Sequence, residues 1–488
     1  MIRIILFFIL FASVAQAQLI SQDLTIAPQF HSYYDSARTL NLPKGFSISV
    51  FYVGALVRPR YMAFDESGVL YVADMGAKHI FALPDRNGNG IADTIITATP
   101  LVDSAHSLVF YHNSMYVAEP TRIRKFRDTD HDGYFETEDP FIVNIPSRGP
   151  YDHYTRTIIL DSINKYFYVS VGASCNACRE TNAERATILR YNLDGTGKTI
   201  IATGLRNALG LAIDPATTAL WAANADRDNL GDDIPPEIIT KIDSGRFYGW
   251  PFAYGGGVFV NPASDPEYEK LLPFTAIDSA KAATMSQPKI TLEAHSTPMS
   301  MMFARNNNYH RSILADGFVA IHGSAKGGRG VGVGYKVISI RQKDVITDQW
   351  EAQDFLTGFL TDSITYKFWG RPCGLAKDAS DVIYLSCDAG IPAIYRITFD
   401  PNGAVRQDKH STEEELTITP NPVENELTIQ VRSNIRFNGE SIHIYNILGC
   451  EVYQQTLSSE RTRIDISRFL RGEYFVRYKS LTTKFWKR

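Results

Sequence analysis

No apolar run after the N-terminus approaches the ~20 residues a bilayer-spanning helix needs, which argues against a helical membrane protein. Charge of one sign is also lacking. A formal net charge of −4 over 488 residues gives no basis for a nucleic-acid or anionic-membrane partner. Cysteine is sparse, with five residues. The single C-x-x-C, Cys175 to Cys178, has no histidine after it, which excludes covalent c-type haem, and no βαβ context for a thioredoxin-like role. What is abundant points to short strands and tight turns: 12% aromatic residues, 34 Gly and 23 Pro. The length predicts two folded units with linkers.

Arg3, the apolar stretch Ile4 to Val14 and Ala15-Gln16-Ala17 form a charged, apolar and small-x-small series, so residues 1–17 read as a secretory signal peptide. The mature chain then starts at Gln18, outside the cytoplasm; an uncut anchor is the competing reading. In that oxidising setting Cys175 and Cys178 are expected to close a loop-bracing disulfide. Cys373 and Cys387 flank a predicted hairpin whose turn would centre on residue 380, within Asp378-Ala-Ser-Asp381, so a second disulfide is expected there. Cys450 is left unpaired.

One strand recurs along the chain: Leu70-Tyr-Val-Ala-Asp74, Met115-Tyr-Val-Ala-Glu119, Phe167-Tyr-Val-Ser-Val171, Leu220-Trp-Ala-Ala-Asn224, Phe318-Val-Ala-Ile-His322 and Ile383-Tyr-Leu-Ser-Cys387. Their second residues lie 45, 52, 53, 98 and 65 positions apart. Another apolar strand precedes each copy and a third follows most of them, the unit of a β-propeller blade. The longest gap holds a Gly- and Pro-rich excursion from Trp250 to about His295, read as a loop over one face. Phe46 to Val53 has no blade of its own and is placed as the missing strand of the last one. The expectation is an all-β chain, with a six-bladed β-propeller over 45–402 after an N-terminal segment 18–44; a β-sandwich array is the alternative.

Loops leading into the first strand of each blade carry Arg58, Arg60, His106, His153, Arg156, Arg206, Asn207, His295 and Arg371. Six polar loops at equivalent positions, mostly Arg or His, form a cationic funnel suited to an anionic ligand.

Five segments in one order then carry a resemblance: Asp152-His-Tyr-Thr-Arg156, Val171-Gly-Ala-Ser-Cys-Asn176, Gly204-Leu-Arg-Asn-Ala-Leu-Gly-Leu-Ala212, Asp228-Asn-Leu-Gly-Asp-Asp-Ile-Pro-Pro236 and Tyr248-Gly-Trp-Pro-Phe252. Over about residues 45–400 the chain resembles the glucose/sorbosone dehydrogenase family, nearest its sorbosone-type branch. The resemblance implies a secreted oxidoreductase that holds pyrroloquinoline quinone (PQQ) and calcium, oxidises a sugar, sugar aldehyde or related alcohol, and passes electrons to an external acceptor. It makes His153 the general base, as an imidazole largely neutral near pH 7 can be. Arg206, Asn207 and Arg371 become cofactor contacts, with Asp152, Arg60, His295 and Lys326 in the same set and Arg329 beside the last. Backbone carbonyls around Asp226 and Arg227 become calcium ligands. Ala173 stands where the glucose-oxidising branch has an acid that orients the histidine, so Asp152 or a neighbour is expected to orient His153. A non-catalytic binding propeller and a calcium-dependent hydrolase or lactonase are the rival readings. The second needs an acidic metal cage, which Arg and His loops do not supply.

Asp128, Asp130, Asp132, Glu136 and Asp139 follow the spacing of an EF-hand-like calcium loop, and Asp85 to Asp93 repeats its first part. Structural calcium and metal-free Asx turns are the two readings of both. Residues 403–414 read as a polar linker. From 415 to 488 alternating strands predict a small β-sandwich. Its Pro420-Asn-Pro422, Tyr445-Asn-Ile-Leu-Gly449 and Gly472-Glu-Tyr474 landmarks resemble the type A C-terminal sorting domain of type IX secretion, implying that export machinery as a partner.

Overall fold

The repeated strands are apolar at almost every position because neighbouring sheets cover both of their faces. Leu70–Asp74, Ser114–Glu119, Leu220–Ala225 and Gly317–Ile321 are buried at every residue. The computed structural model describes residues 18–147, 152–305, 309, 313, 315–325, 330–401, 415–432, 441–446, 450–457, 459, 461–478 and 481–488. The expected signal peptide 1–17, the expected linker 403–414, Lys326 and Arg329 lie outside the described residues. The chain divides into two compact units, Met1–Pro84 with Thr94–Ala404, and Asp85–Asp93 with Val405–Arg488.

The first unit is nearly all-β. Among its described residues six sheets of four or five strands recur, antiparallel except where Arg246–Phe247 joins Thr199–Thr203 in parallel. In the first, Pro59–Phe64 pairs with Leu70–Asp74, which pairs with His79–Leu83. In the last, Gly370–Lys377, Ile383–Gly390 and Ala393–Phe399 are completed by the distant Phe46–Val53, which pairs with Ala393–Phe399 from Phe46↔Phe399 to Val53↔Ala393. The strands that begin the six sheets neighbour one another in order, and Gly370–Lys377 returns to Pro59–Phe64. Hydroxyl groups tie neighbouring sheets together at this end. Ser107 donates to Arg156 O (3.1 Å), Thr157 to Leu209 O (2.6 Å), Tyr61 to Leu209 O (2.7 Å) and Ser386 to Arg60 O (2.6 Å). Each bond satisfies a buried carbonyl that no strand ladder reaches. The loops above the first strands therefore start from fixed positions.

The excursion after Trp250 adds no further four-stranded sheet. It forms a short hairpin, Ala253–Tyr254 with Val258–Phe259, and a helix, Ala276–Ala282, started by a Thr275/Asp278 capping box. It then returns as Ile290–Leu292 to complete the fourth sheet.

The Cys175–Cys178 disulfide is formed, and the expected second one is not. The hairpin turn lies where the sequence placed it: Asp381 N donates to Asp378 O (3.1 Å), and Leu375 faces Leu385. Further along, a register shift sets Pro372 opposite Cys387, and Cys373 is carried out of line. Both remain free, buried thiols.

In the second unit Glu415–Thr419, Glu426–Arg432 and Arg461–Asp465 form one sheet, and Glu451–Thr456, Ser441–Asn446, Gly472–Tyr478 and Leu481–Lys487 another. Their alternation buries Leu427, Ile429, Ile442, Ile444, Val476 and Phe485 in one apolar cluster.

Candidate functional site

His153 sits on the loop before the third sheet, and the strand end Val171-Gly-Ala173 sets its orientation. The backbone N–H and Nδ1 of His153 both reach Ala173 O, at 3.2 and 2.8 Å. A carbonyl only accepts, so Nδ1 carries the proton and Nε2 keeps its lone pair. Burial, reinforced by the nearby Arg206 charge, lowers the imidazole pKa to about 3. Of the expected orienting groups, Asp152 or a neighbour, it is the Ala173 carbonyl that holds Nδ1. The Asp152 carboxylate meets Arg185 at 2.6 Å with both side chains buried, bracing the loop. Arg156 is likewise structural: buried, it donates to His153 O (2.6 Å), Thr155 O (2.7 Å) and Pro146 O (2.7 Å). Gly172 allows this close packing. A Cβ there would lie 2.5 Å from His153 Cβ and 2.9 Å from Asn207 Oδ1, so both side chains crowd the space that a side chain at 172 would fill.

Ala173 N donates to Arg206 O (2.7 Å), joining the histidine to the next predicted pair. Arg206 is buried and mostly committed to protein acceptors. Nε reaches Asn176 O (3.2 Å), Nη1 reaches Asp226 O (2.6 Å), and Nη2 reaches Asn176 Oδ1 and Asp228 Oδ2 (both 2.9 Å). The Asp226 carbonyl, expected as a calcium ligand, thus already accepts from a guanidinium. Arg227 forks onto Asp265 (2.6 and 2.7 Å) in a fully buried pair. Asp226 N donates to Glu237 (2.5 Å), and burial raises Asp226 to about 6 and Glu237 to about 8. His295 bonds Asp228 (3.3 Å) and Gly231 O (2.8 Å), and the Asp228 carboxylate raises its pKa.

A second group forms where the first and last sheets meet. Arg60 Nε lies 3.2 Å from Asp388, whose other oxygen accepts from His322 Nε2 (2.7 Å), while Arg60 Nη1 reaches Cys373 Sγ (3.7 Å). Arg371 donates to the carbonyls of His322 and Gly323 and stacks over Tyr335, 5.2 Å from the ring centre. His106 is fully buried against Tyr61, its ring centre 4.6 Å away, and neither of its ring nitrogens has a hydrogen-bond partner among the described residues. Burial holds it neutral, well below the usual imidazole range.

The expected excess of positive charge is therefore largely matched by carboxylates. Asp388, Asp228 and Asp265 were missed in sequence reasoning. A signal for the first was present: acids close the repeated strand at Asp74 and Glu119, and Asp388 stands one residue past the sixth copy. Asp74 shows the recurring task, accepting from the N–H of Val57 (2.7 Å) and Arg58 (2.8 Å) to hold the loop before its own sheet. His322, the last residue of the fifth copy, was likewise read only as strand.

In the acidic loop, Asp128, Asp130 and Glu136 converge with ligand atoms within 4.8 Å of one another. Asp132 instead accepts from Tyr134 N (2.7 Å), and Asp139 pairs with Arg127 (2.9 Å). The Asp85 loop closes on itself, Asp85 accepting from Asn89 and Gly90 N–H (3.1 and 2.8 Å).

This nearly all-β unit has the fold of soluble PQQ-dependent dehydrogenases. It superposes on the holo PQQ domain of pyranose dehydrogenase from Coprinopsis cinerea with a TM-score of 0.61 at 18% identity, covering 77% of this chain and all of that one. A family AA12 carbohydrate-active enzyme of Trichoderma reesei gives a TM-score of 0.62 at 20% identity, over 74% and 97% of the two chains. Residues 40–252 and 260–398 match the TrAA12-like family, and the chain belongs to it. It is homologous, at 23% identity over 55% of its length and 70% of the relative's, to a pyrroloquinoline quinone-dependent sugar dehydrogenase of Hypocrea jecorina. Residues 417–488 match the secretion system C-terminal sorting domain. Among the described residues no helix is long and apolar enough to cross a membrane.

Proposed function

We propose that the first unit is a six-bladed β-propeller that binds PQQ and calcium and oxidises a sugar, sugar aldehyde or related alcohol, with His153 as general base. On this reading residues 415–488 fold as a small β-sandwich and direct export by type IX machinery, after removal of residues 1–17. The observation that carries the catalytic reading is the fixed tautomer of His153. Nδ1–H is anchored on Ala173 O, so Nε2 keeps its lone pair, on a histidine packed at Gly172 with Asn207 and within reach of the Arg206 charge.

The residues present fit a planar polyanion. Arg60, Arg206 and Arg371 bring guanidinium groups that a polyanion would draw from their present protein acceptors, His106 has two unbonded ring nitrogens, and Gly172 leaves the space against His153 and Asn207 free of a side chain. Bound PQQ would supply a two-electron acceptor for the hydride lost by the substrate. Arg206 and Asn207 would contact it, with Arg60, Arg371, His295 and Lys326 toward its carboxylates. Calcium at the main-chain oxygens around Asp226 and Arg227 would have to displace the Arg206 guanidinium from Asp226 O, whereas a separate structural ion would suit Asp128, Asp130 and Glu136.

His153 would take the hydroxyl proton at Nε2. Its lowered pKa means that it is unprotonated at any ordinary pH, but also a weak base. Arg206 contributes to that lowering, so an anion placed against the guanidinium raises the basicity of His153.

The test is full-length protein supplied with PQQ and calcium, followed by dye reduction over a panel of aldoses, sugar aldehydes and alcohols. PQQ-dependent turnover that falls at least ~100-fold in His153→Ala is expected. No PQQ binding would overturn the reading. Binding without turnover would identify a ligand-binding propeller, and undiminished activity of His153→Ala would remove its assigned role.

A further inference from the structure

We infer that Asn176, held inside the Cys175–Cys178 ring, is a positioning residue that sets the guanidinium of Arg206; the inference rests on Arg206 contacting the cofactor. Asn176 uses nearly all of its polar atoms on this neighbourhood. Its carbonyl accepts from Arg206 Nε (3.2 Å) and Trp250 Nε1 (2.9 Å). Its Oδ1 accepts from Arg206 Nη2 (2.9 Å) and Asp228 N (2.7 Å). Its Nδ2 donates to Asp228 O (3.0 Å) and Glu267 Oε1 (3.1 Å). Asn176 thus sets both the guanidinium and the backbone of Asp228, whose carboxylate holds the same guanidinium at 2.9 Å.

A side chain with this many simultaneous bonds needs a backbone that does not wander. The disulfide flanks it on both sides, Cys175 packs against Ala173, Ala186 and Trp250, and Ala177 N is anchored on Glu267 (3.1 Å). The same short loop starts at Ala173, whose carbonyl orients His153. One covalently closed turn therefore registers the base against the guanidinium. No other amino acid repeats the arrangement. Alanine loses both side-chain functions, glutamine moves the amide one methylene too far, and aspartate keeps the acceptor for Arg206 while losing the donor to Asp228 and Glu267.

The experiment compares full-length parent, Asn176→Ala, Asn176→Asp and the Cys175→Ser/Cys178→Ser pair. Two readouts are used: PQQ affinity by fluorescence titration, and the rate at which phenylglyoxal labels Arg206, read by peptide mass spectrometry without cofactor. Asn176→Ala is expected to weaken PQQ about 10-fold and to label at least ~5-fold faster, the loss of one charge-assisted bond at the guanidinium. Asn176→Asp should keep the slow labelling of the parent, and the serine pair should fall between parent and alanine. In combination with Arg206→Lys, Asn176→Ala should weaken PQQ binding by clearly less than the product of the single effects. If the effects multiply, or if labelling of Asn176→Ala equals the parent, the positioning role is wrong. If the parent binds no PQQ but labelling accelerates as stated, Asn176 positions Arg206 and it is the cofactor reading that fails.

Discussion

Replacing Gly172 by alanine tests the candidate site most directly. The added methyl carbon would lie 2.5 Å from His153 Cβ, 2.9 Å from Asn207 Oδ1 and 3.1 Å from His153 O. Carbon atoms rest at about 3.5–4.0 Å, so His153 must retreat by roughly 1 Å. Its backbone N–H and Nδ1 are both bound to Ala173 O, and Arg156 holds its carbonyl, so the retreat strains several bonds at once. Overpacking of this kind costs about 1–3 kcal/mol, which in a unit this large lowers Tm by roughly 1–4 °C. Misplacing the base by that distance should cost about 100-fold in kcat. Gly172 is not in the left-handed region, so the effect isolates contact from backbone strain. Gly332→Ala is the control: its nearest neighbours are at 3.4 Å, and stability should stay within about 0.5 kcal/mol of the parent. The assays are a thermal melt and steady-state dye reduction on PQQ-loaded protein. Gly172→Ala with parental Tm and activity within two-fold of the parent would show that His153 is not held as described.

Three further outcomes follow from the buried groups. In native protein a thiol reagent should modify one cysteine, the exposed Cys450, and after unfolding without reductant three in all; a total of one would restore the second disulfide. Lowering pH should destabilise the first unit. His153 (about 3), His322 (about 4) and His106 have folded pKa values below their ordinary one, so the unfolded chain binds more protons below pH ~6.5. Stability present above that pH is then lost as pH falls, by at most about 4 kcal/mol per unit for three protons, offset in part by Glu237 (about 8) and Asp226 (about 6), two buried acids that the fold protonates first; a midpoint higher at pH 4.5 than at pH 7 would contradict this. Asp388→Asn leaves Arg60 and His322 without their shared carboxylate, and a loss of about 3–5 kcal/mol is expected in chemical denaturation. A loss below about 1 kcal/mol would show the group to be open to water.

The repeated strand was legible because burial on both faces demands an apolar run at each copy, and six copies leave little freedom in the sheet pattern. The excursion after Trp250 was legible from its Gly and Pro content. The failure at Cys373 and Cys387 is instructive: the turn near residue 380 was placed correctly, but a bulge between Pro372 and Leu375 leaves no mark in composition. The orientation of His153 was illegible for a different reason. Its partner is a main-chain oxygen, and every residue has one, so Ala173 looks like a loss when it keeps the needed acceptor. The cationic loops were read without their partners. Asp228 opens the Asp228–Pro236 motif, and Asp388 follows the sixth repeated strand, but side-chain pairing across sheets depends on distances that spacing along the chain does not encode.

The pairing of Phe46–Val53 with Ala393–Phe399 has a consequence for the order of events during synthesis. The first of these strands emerges early, and its partner is among the last parts of the unit to be made. Until then Phe46–Val53 is an unsatisfied edge, open to pairing with another chain. Loop-closure entropy rises only with the logarithm of the intervening length, so the delay is a hazard of time more than of equilibrium. A chain broken off before Ala393 would keep that edge exposed, while one ending after Phe399 would not. Completion of the last sheet thus marks a fully synthesised unit, and export machinery that acts on a signal further along the chain meets it only after that point.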